Sequence, residues 1–337
     1  MTEPTRVLVT GAGGFIGHHL VSFLRAQGYW VRGADLKQPE FGPSDAHEFE
    51  TLDLRRWESC LRATESVDEV YALAADMGGM GFISCNHSQI LHNNSLINLH
   101  TIEAARQNGV KRYLYTSSAC VYPEYKQTQT ECVPLKEEDA YPAAPQDAYG
   151  WEKLVSERLC THYREDYGLQ TRIVRFHNIF GPLGTWQGGR EKAPAALCRK
   201  VALAKLRGAD QIEIWGDGKQ TRSFCYIDDC VVGVHKLMRS EYCEPLNLGQ
   251  DRMISVDDLA DIIGCIAGVR LRKEHVPGPQ GVRGRNSDNG RLREVLRWVP
   301  EISLEDGLEP TYQWIENNVK QLIERGAVQS VPPARAG

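Results

Sequence analysis

Tyr149 and Lys153, in QDAYGWEKLVSERL, are four residues apart in a stretch of helical character, which puts both on one helix face. A phenol of pKa ~10 is a poor base at neutral pH, but an ammonium beside it favours the phenolate and suits it to move a hydroxyl proton. Ser118 ends the run RYLYTSSA (112–119), where its hydroxyl can meet the same substrate group. By itself Tyr-x-x-x-Lys is a common surface spacing, so its weight depends on what surrounds it. Cys120 follows Ser118 by two residues, which keeps it on the same side of the strand end. Lys192 lies in the Gly-rich loop GTWQGGREKAPAA. A thiol (~8.5) and a desolvated amine can both shuttle protons near neutral pH. In isolation, though, such a Cys reads as a small buried hydrophobe and such a Lys as a solvated one.

The elements that must position these residues alternate. RVLVT (6–10) reads as a strand, Gly17–Gln27 as a helix, and YWVRGAD (29–35) and DEVYALAA (68–75) as strands. INLHTIEAARQNG (97–109) reads as a helix leading into the strand 112–119. This β/α alternation predicts a Rossmann-type α/β fold, a doubly wound parallel sheet with helices on both faces. Gly11, Gly14 and Gly17 stand between the first strand and the first helix, where glycines permit a tight turn and close backbone approach to a pyrophosphate. Asp35 ends the second strand, placed to bind ribose hydroxyls and repel a 2′-phosphate, so NAD is expected over NADP. Asp53, in TLDLR, is a candidate on the adenine side, and an ordinary loop Asp is nearly as good a reading.

Composition bounds the rest. The 337 residues are 42% hydrophobic and 25% charged, with a formal net charge of −5, which argues against a nucleic-acid binder. No apolar run approaches the roughly 20 residues needed to span a bilayer. Neither a signal segment nor a metal-ligand spacing is visible, and the ten cysteines are scattered singly, as reduced thiols of a cytoplasmic protein would be. Beyond about residue 180 the chain becomes richer in Gly and Pro. The segments 181–194 and 275–290 read as long functional loops. The expected division is an NAD-binding part over 1–178, a smaller mixed α/β substrate lobe over 179–325 with some chain crossing between them, and a frayed tail over 326–337.

The glycine motif, Ser118, Tyr149 and Lys153 resemble the extended short-chain dehydrogenase/reductase superfamily, as do RFHNIFGP (175–182) and WGDGKQTRSFCYIDD (215–229). The likeness runs over about residues 6–320. Within it, AADMGGMGFI (74–83), SSACVYPE (117–124), PQDAYG (145–150), GTWQGGREKAPAA (184–196) and GPQGVRGRNSDN (278–289) resemble the branch that epimerises a GDP-sugar at two carbons. That resemblance implies NAD as cofactor, a GDP-mannose-type sugar nucleotide as substrate and a homodimer. It casts Cys120 and Lys192 as the proton-transfer pair and adds Phe15 and Ile16 to the cofactor contacts. It adds Gly78, Ala119, Asn178, Glu191, Lys200 and Gln220 to the substrate contacts. Arg222 and Arg285 are expected on the diphosphate, with Arg283 a near-equal alternative to Arg285.

The implied chemistry has a reason for two groups. Oxidising a C4 hydroxyl to a ketone makes the hydrogens on C3 and C5 acidic, and inversion returns a proton to the opposite ring face. A single-carbon 4-epimerase would leave Cys120 and Lys192 unexplained. A dehydratase would carry an Asp–Glu pair where this chain has Ala119 and Cys120. A non-catalytic NAD(H)-binding regulator would not need the complete Ser/Tyr/Lys set.

Overall fold

The computed structural model describes residues 4–326, so the expected tail, Gly326 apart, lies outside the described residues. β1 (Arg6–Thr10), β2 (Trp30–Asp35), β3 (Glu48–Thr51), β4 (Glu69–Ala72), β5 (Arg112–Ser118) and β6 (Gln170–Phe176) are six strands of one sheet. Pro245–Leu248 is the seventh. The order is seventh, β6, β5, β4, β1, β2, β3, and every pairing is parallel. The order reverses between β1 and β4, and a ligand crevice opens at the strand ends of such a switch point.

Alternation along β1 shows why the sheet is covered on both faces. Val7 and Val9 join an apolar cluster with Leu20, Val21 and Leu24 of α1 (Phe15–Ala26). Leu8, between them, joins the opposite cluster with Cys60 of α2 (Trp57–Thr64) and Val70 of β4. Each fully buried side chain of this kind contributes about 1.5–3 kcal/mol. A short helix, α3 (Met80–Ile83), precedes the long α4 (His87–Gln107), which lies against α5 (Ala148–Tyr167).

Element ends differ from the sequence reading for identifiable reasons. α1 begins at Phe15, two residues before Gly17. β4 stops at Ala72 because the next amides, of Leu73 and Ala74, donate to the Thr10 hydroxyl at 3.0 and 3.1 Å. α4 starts at His87, ten residues before Ile97. Its early turns bury Asn93, Asn94 and Asn98, and a buried face that is polar shows no apolar periodicity.

Outside the large sheet, Leu304–Glu324 stacks on the helix Ala193–Arg207. Three small sheets accompany them, one pairing Gln211–Trp215 with Arg272–Val276, one pairing Ile179–Phe180 with Cys225–Tyr226, and one ordering Met253–Ser255, Thr221–Ser223 and Gly284–Arg285. The last of these strands interrupts the segment 275–290, which the sequence reads as a loop. Between Thr221–Ser223 and Met253–Ser255, two strands of one small sheet, the chain returns to the large one. The helix Ile227–Arg239 packs on α1 and delivers the seventh strand to β6.

Candidate active site

A cavity of ≈ 860 Å³ runs along the strand ends, and every site residue expected from the sequence lines it except Arg283. Arg283 instead forms a two-pronged ion pair with Asp217, at 2.9 and 3.0 Å.

At the cofactor end the loop after β1 is held by close backbone contacts. A Cβ on Gly17 would stand 2.1 Å from the Gly11 carbonyl oxygen, and one on Gly13 would stand 2.1 Å from that of Lys37. Gly13 was not singled out by the sequence; its signal was the doubled glycine in GAGGFIG. No side chain caps α1 and no acidic residue occupies its first turn, so its end amides face the cavity as an anion site. Asp35 accepts from the Gly13 amide at 3.0 Å. Burial raises its carboxyl pKa, and the amides of Gly13, Lys37 and Leu36 oppose that rise. An open helix end, a glycine cradle and a strand-end carboxylate fit a dinucleotide. The Asp53 carboxylate is already engaged by Arg55 at 2.8 Å, which holds its pKa low.

In the middle of the cavity, β5 and α5 bring Ser118, Tyr149 and Lys153 together. Asp147 caps α5 by accepting from the Gly150 amide at 2.8 Å, which sets where the Tyr149 face begins. The Lys153 ammonium donates to the Thr116 carbonyl at 2.9 Å and lies 5.5 Å from the Tyr149 ring centre. Burial lowers the Lys153 pKa against the opposing pull of Glu152, and burial raises the Tyr149 phenol well above its usual range. The Ser118 hydroxyl works against that rise.

Cys120 is not on the strand, as its spacing from Ser118 suggested. β5 has ended, and Ala119–Val121 form a single 3-10 turn capped by Ser118, whose hydroxyl accepts from the Cys120 amide at 3.2 Å. That cap turns the thiol into the cavity. Arg285 donates to its sulfur at 3.4 Å and is itself fixed by buried Gln127, which sequence reasoning passed over and whose only sequence signal is a polar side chain near the site.

Lys192 is the residue before the helix Ala193–Arg207. Its exposure is to the cavity, whose walls strip water from the ammonium and lower its pKa. Elsewhere along the cavity, Arg222 and Arg285 have no carboxylate partner among the described residues. Arg222 donates only to main-chain carbonyls, including Val282 at 2.7 Å. Burial, then the neighbouring Arg285, pushes the Arg222 pKa down to about 9. Two guanidinium groups without a counter-charge form a strong site for phosphate oxygens.

The remaining candidates are partly committed. Asn178, at φ +49°, donates to the Ser223 carbonyl at 2.9 Å. Lys200 donates to the Glu213 carbonyl at 2.7 Å. Glu191 pairs with Arg199 at 2.8 Å and accepts from the Gly189 amide at 2.7 Å. Gln220 donates to the Trp215 carbonyl at 3.1 Å while its own oxygen is buried without a partner. Gly78 and Ala119 are buried in the wall.

The family pattern described as NAD dependent epimerase/dehydratase family matches residues 7–249. A GDP-mannose 3,5-epimerase 1 of Oryza sativa subsp. indica is 52% identical over 100% of this chain and 87% of its own. The UDP-glucose 4-epimerase of Thermotoga maritima, solved with UDP-glucose, matches at a TM-score of 0.84 and 26% identity over 94% of this chain and 100% of its own. The UDP-glucuronic acid 4-epimerase of Bacillus cereus, solved with UDP-glucuronic acid and NAD, matches at 0.78 and 26% over 93% and 100%. With a glycine cradle and a Ser/Tyr/Lys set on one cavity, the chain belongs to the NAD dependent epimerase/dehydratase family, on the branch that holds the GDP-mannose 3,5-epimerases.

Proposed function

We propose that the protein is an NAD-dependent isomerase that converts GDP-D-mannose to GDP-L-galactose, with GDP-L-gulose formed when only C5 inverts. The observation that carries the reading is one cavity shared by the Tyr149–Lys153 pair, Cys120, Lys192 and two unpaired arginines.

NAD⁺, when bound, supplies transient oxidation at C4 of the sugar and restores that carbon at the end. Gly11, Gly14 and Gly17, with the amides of Phe15 and Ile16, hold the pyrophosphate. Asp35 takes the adenosine ribose, and Tyr149 and Lys153 take the nicotinamide side. Asp53 serves the adenine end through its turn, since its carboxylate is engaged. Tyr149 accepts the C4 hydroxyl proton as its phenolate while Ser118 orients that hydroxyl; burial favours the neutral phenol, so the base role requires the positive charges of Lys153 and of bound NAD⁺ to offset it.

With C4 a ketone, a base takes the proton from C5 or C3 and the electron pair passes onto the carbonyl oxygen as an enolate. Cys120 and Lys192 are the two groups, one for each ring face: one receives the proton and the other returns one. Burial of the Lys192 ammonium brings it closer to neutral working pH. Arg222 and Arg285 hold the diphosphate. Gly78, Ala119, Asn178, Glu191, Lys200 and Gln220 shape the rest of the pocket.

The test is incubation with GDP-mannose in heavy water. Deuterium at both C3 and C5, strongly reduced in Cys120→Ala and Lys192→Ala, is the expected result. Unlabelled product inverted only at C4 would exclude the reading. A homodimer is proposed on the same footing: α4 and α5 lie side by side and expose Leu91, Leu99, Trp151 and Val155. Light scattering of the purified protein measures it. No helix among the described residues is long and apolar enough to cross a membrane, and all ten cysteines are free thiols, which supports a cytoplasmic location.

A further inference from the structure

Lys192 lies outside the regular elements that hold Tyr149 and Lys153, yet the proposed reaction needs its amine at a fixed place beside the ring. The helix that follows holds the Lys192 carbonyl, through the Ala196 amide at 2.9 Å, and the loop before Lys192 sets the approach on the other side. We propose that Asp76 is a positioning residue that sets Lys192 by tying its loop, through Arg190, to the helix that carries Tyr149 and Lys153. The inference rests on the proposed roles of those residues.

One side of the tie runs from Asp76 to the loop. The Arg190 guanidinium donates to the Asp76 carboxylate at 3.0 Å and to the Met77 carbonyl at 3.2 Å, and lies 3.7 Å from the Phe82 ring centre. The Gly79 amide donates to the Arg190 carbonyl at 3.0 Å. A Cβ on Gly79 would stand 2.4 Å from the Glu191 carbonyl oxygen, so the two loops meet this closely only because residue 79 is glycine. Residues 190 and 191 are thereby laid on the segment 76–83, and Lys192 is the next residue in the chain.

The other side runs from Asp76 to α5. Its second carboxylate oxygen accepts from Asn93 at 3.0 Å and Gln89 at 2.9 Å. Its main chain is gripped twice by the fully buried Asn94. The Asp76 amide donates to the Asn94 side-chain oxygen at 2.6 Å, and the Asn94 amide group donates to the Asp76 carbonyl at 3.2 Å. That same amide group donates to Glu152 at 2.9 Å, and Glu152 is the neighbour of Lys153 on α5. Asn98 also holds Glu152, at 3.0 Å, so the anchor is a satisfied buried network rather than a single exposed pair.

The arrangement has a specific consequence. An exposed ion pair contributes little to stability, roughly 0–1 kcal/mol, so cutting Arg190 from Asp76 leaves the fold intact. A displaced acid/base group, by contrast, loses rate steeply with distance. Breaking the tie therefore slows proton transfer and spares C4 oxidation, a split that general loosening of the site would not produce.

The experiment uses the full chain with GDP-mannose in heavy water and compares wild type with Arg190→Gln, Arg190→Lys and Asp76→Asn. For Arg190→Gln and Asp76→Asn, kcat and deuterium uptake at C3 and C5 should fall by about tenfold, with KM within about twofold. Near-ultraviolet absorbance of reduced cofactor during turnover should rise, because oxidation outruns proton transfer. Arg190→Lys keeps a cation and should recover part of the loss. Variants indistinguishable from a labelled wild type overturn the inference alone, as do variants in which label uptake and cofactor reduction fall together. A wild type that takes up no label overturns the functional reading, and the inference with it.

Discussion

Ser118, Tyr149 and Lys153 stand on β5 and α5, two regular elements packed against one another, whereas Cys120 and Lys192 stand on a single 3-10 turn and at the end of a loop. The first set is placed by backbone geometry that many side chains would support. The second is placed by particular side chains: the Ser118 cap, the Gln127–Arg285 contact with the thiol, and the Asp76–Arg190 tie. On the proposed mechanism, then, oxidation rests on regular elements and inversion rests on local side-chain contacts within the same cavity.

Four experiments test that contrast. The largest effect is expected for Tyr149→Phe, which removes the proton acceptor on which both halves depend. Turnover measured by product analysis should fall on the order of 10³–10⁴-fold, and label at C3 and C5 should vanish with it. Residual labelling would show that the two halves are separable. Lys192→Ala should lower epimerisation on the order of 10²–10³-fold while bound cofactor is still reduced on substrate addition, read by absorbance. If reduction disappears too, Lys192 belongs to the oxidation machinery and the contrast fails.

Arg222→Ala removes a buried charge that has no protein counter-charge, so GDP-mannose affinity by calorimetry should weaken on the order of 10²-fold. An unchanged affinity would move the diphosphate elsewhere. The smallest effect concerns the seam at the end of β6. Burial pushes the fully buried His177 down to about 3, while an unfolded histidine titrates near 6.5. The folded state therefore keeps it neutral. Stability is fully present above pH 6.5 and falls as pH drops from there toward about 3. The cost at pH 5 is about 2 kcal/mol. Chemical denaturation at pH 7 and pH 5 reads it, and His177→Asn should flatten that part of the slope.

The same contrast decides what was legible in the sequence. β1, Gly11, Gly17 and Asp35 could be read directly because each needs a residue type at a set spacing. Tyr149 and Lys153 could be read because one helix turn joins them. Cys120 could be named only by resemblance, since its place depends on a 3-10 turn that interrupts the strand alternation. Arg190, Asp76 and Gln127 left no such trace: their partners lie 114 and 158 positions away, and no local period encodes that. The early turns of α4 were missed for a related reason. Asn93, Asn94 and Asn98 make its inner face polar, so burial and hydrophobicity part company there.

The return of the chain to the large sheet has a consequence for biosynthesis. β6 is buried along most of its length, and its outer edge pairs with Pro245–Leu248. During synthesis from the N-terminus, six strands emerge while the seventh is still unmade, and residues 177–244 are translated in between. Throughout that interval the nascent protein carries an open, apolar strand edge of the kind that invites pairing with another chain. A ribosome paused shortly before residue 245 would therefore hold a chain with that edge open, and one paused after residue 248 has emerged would hold a chain with that edge covered.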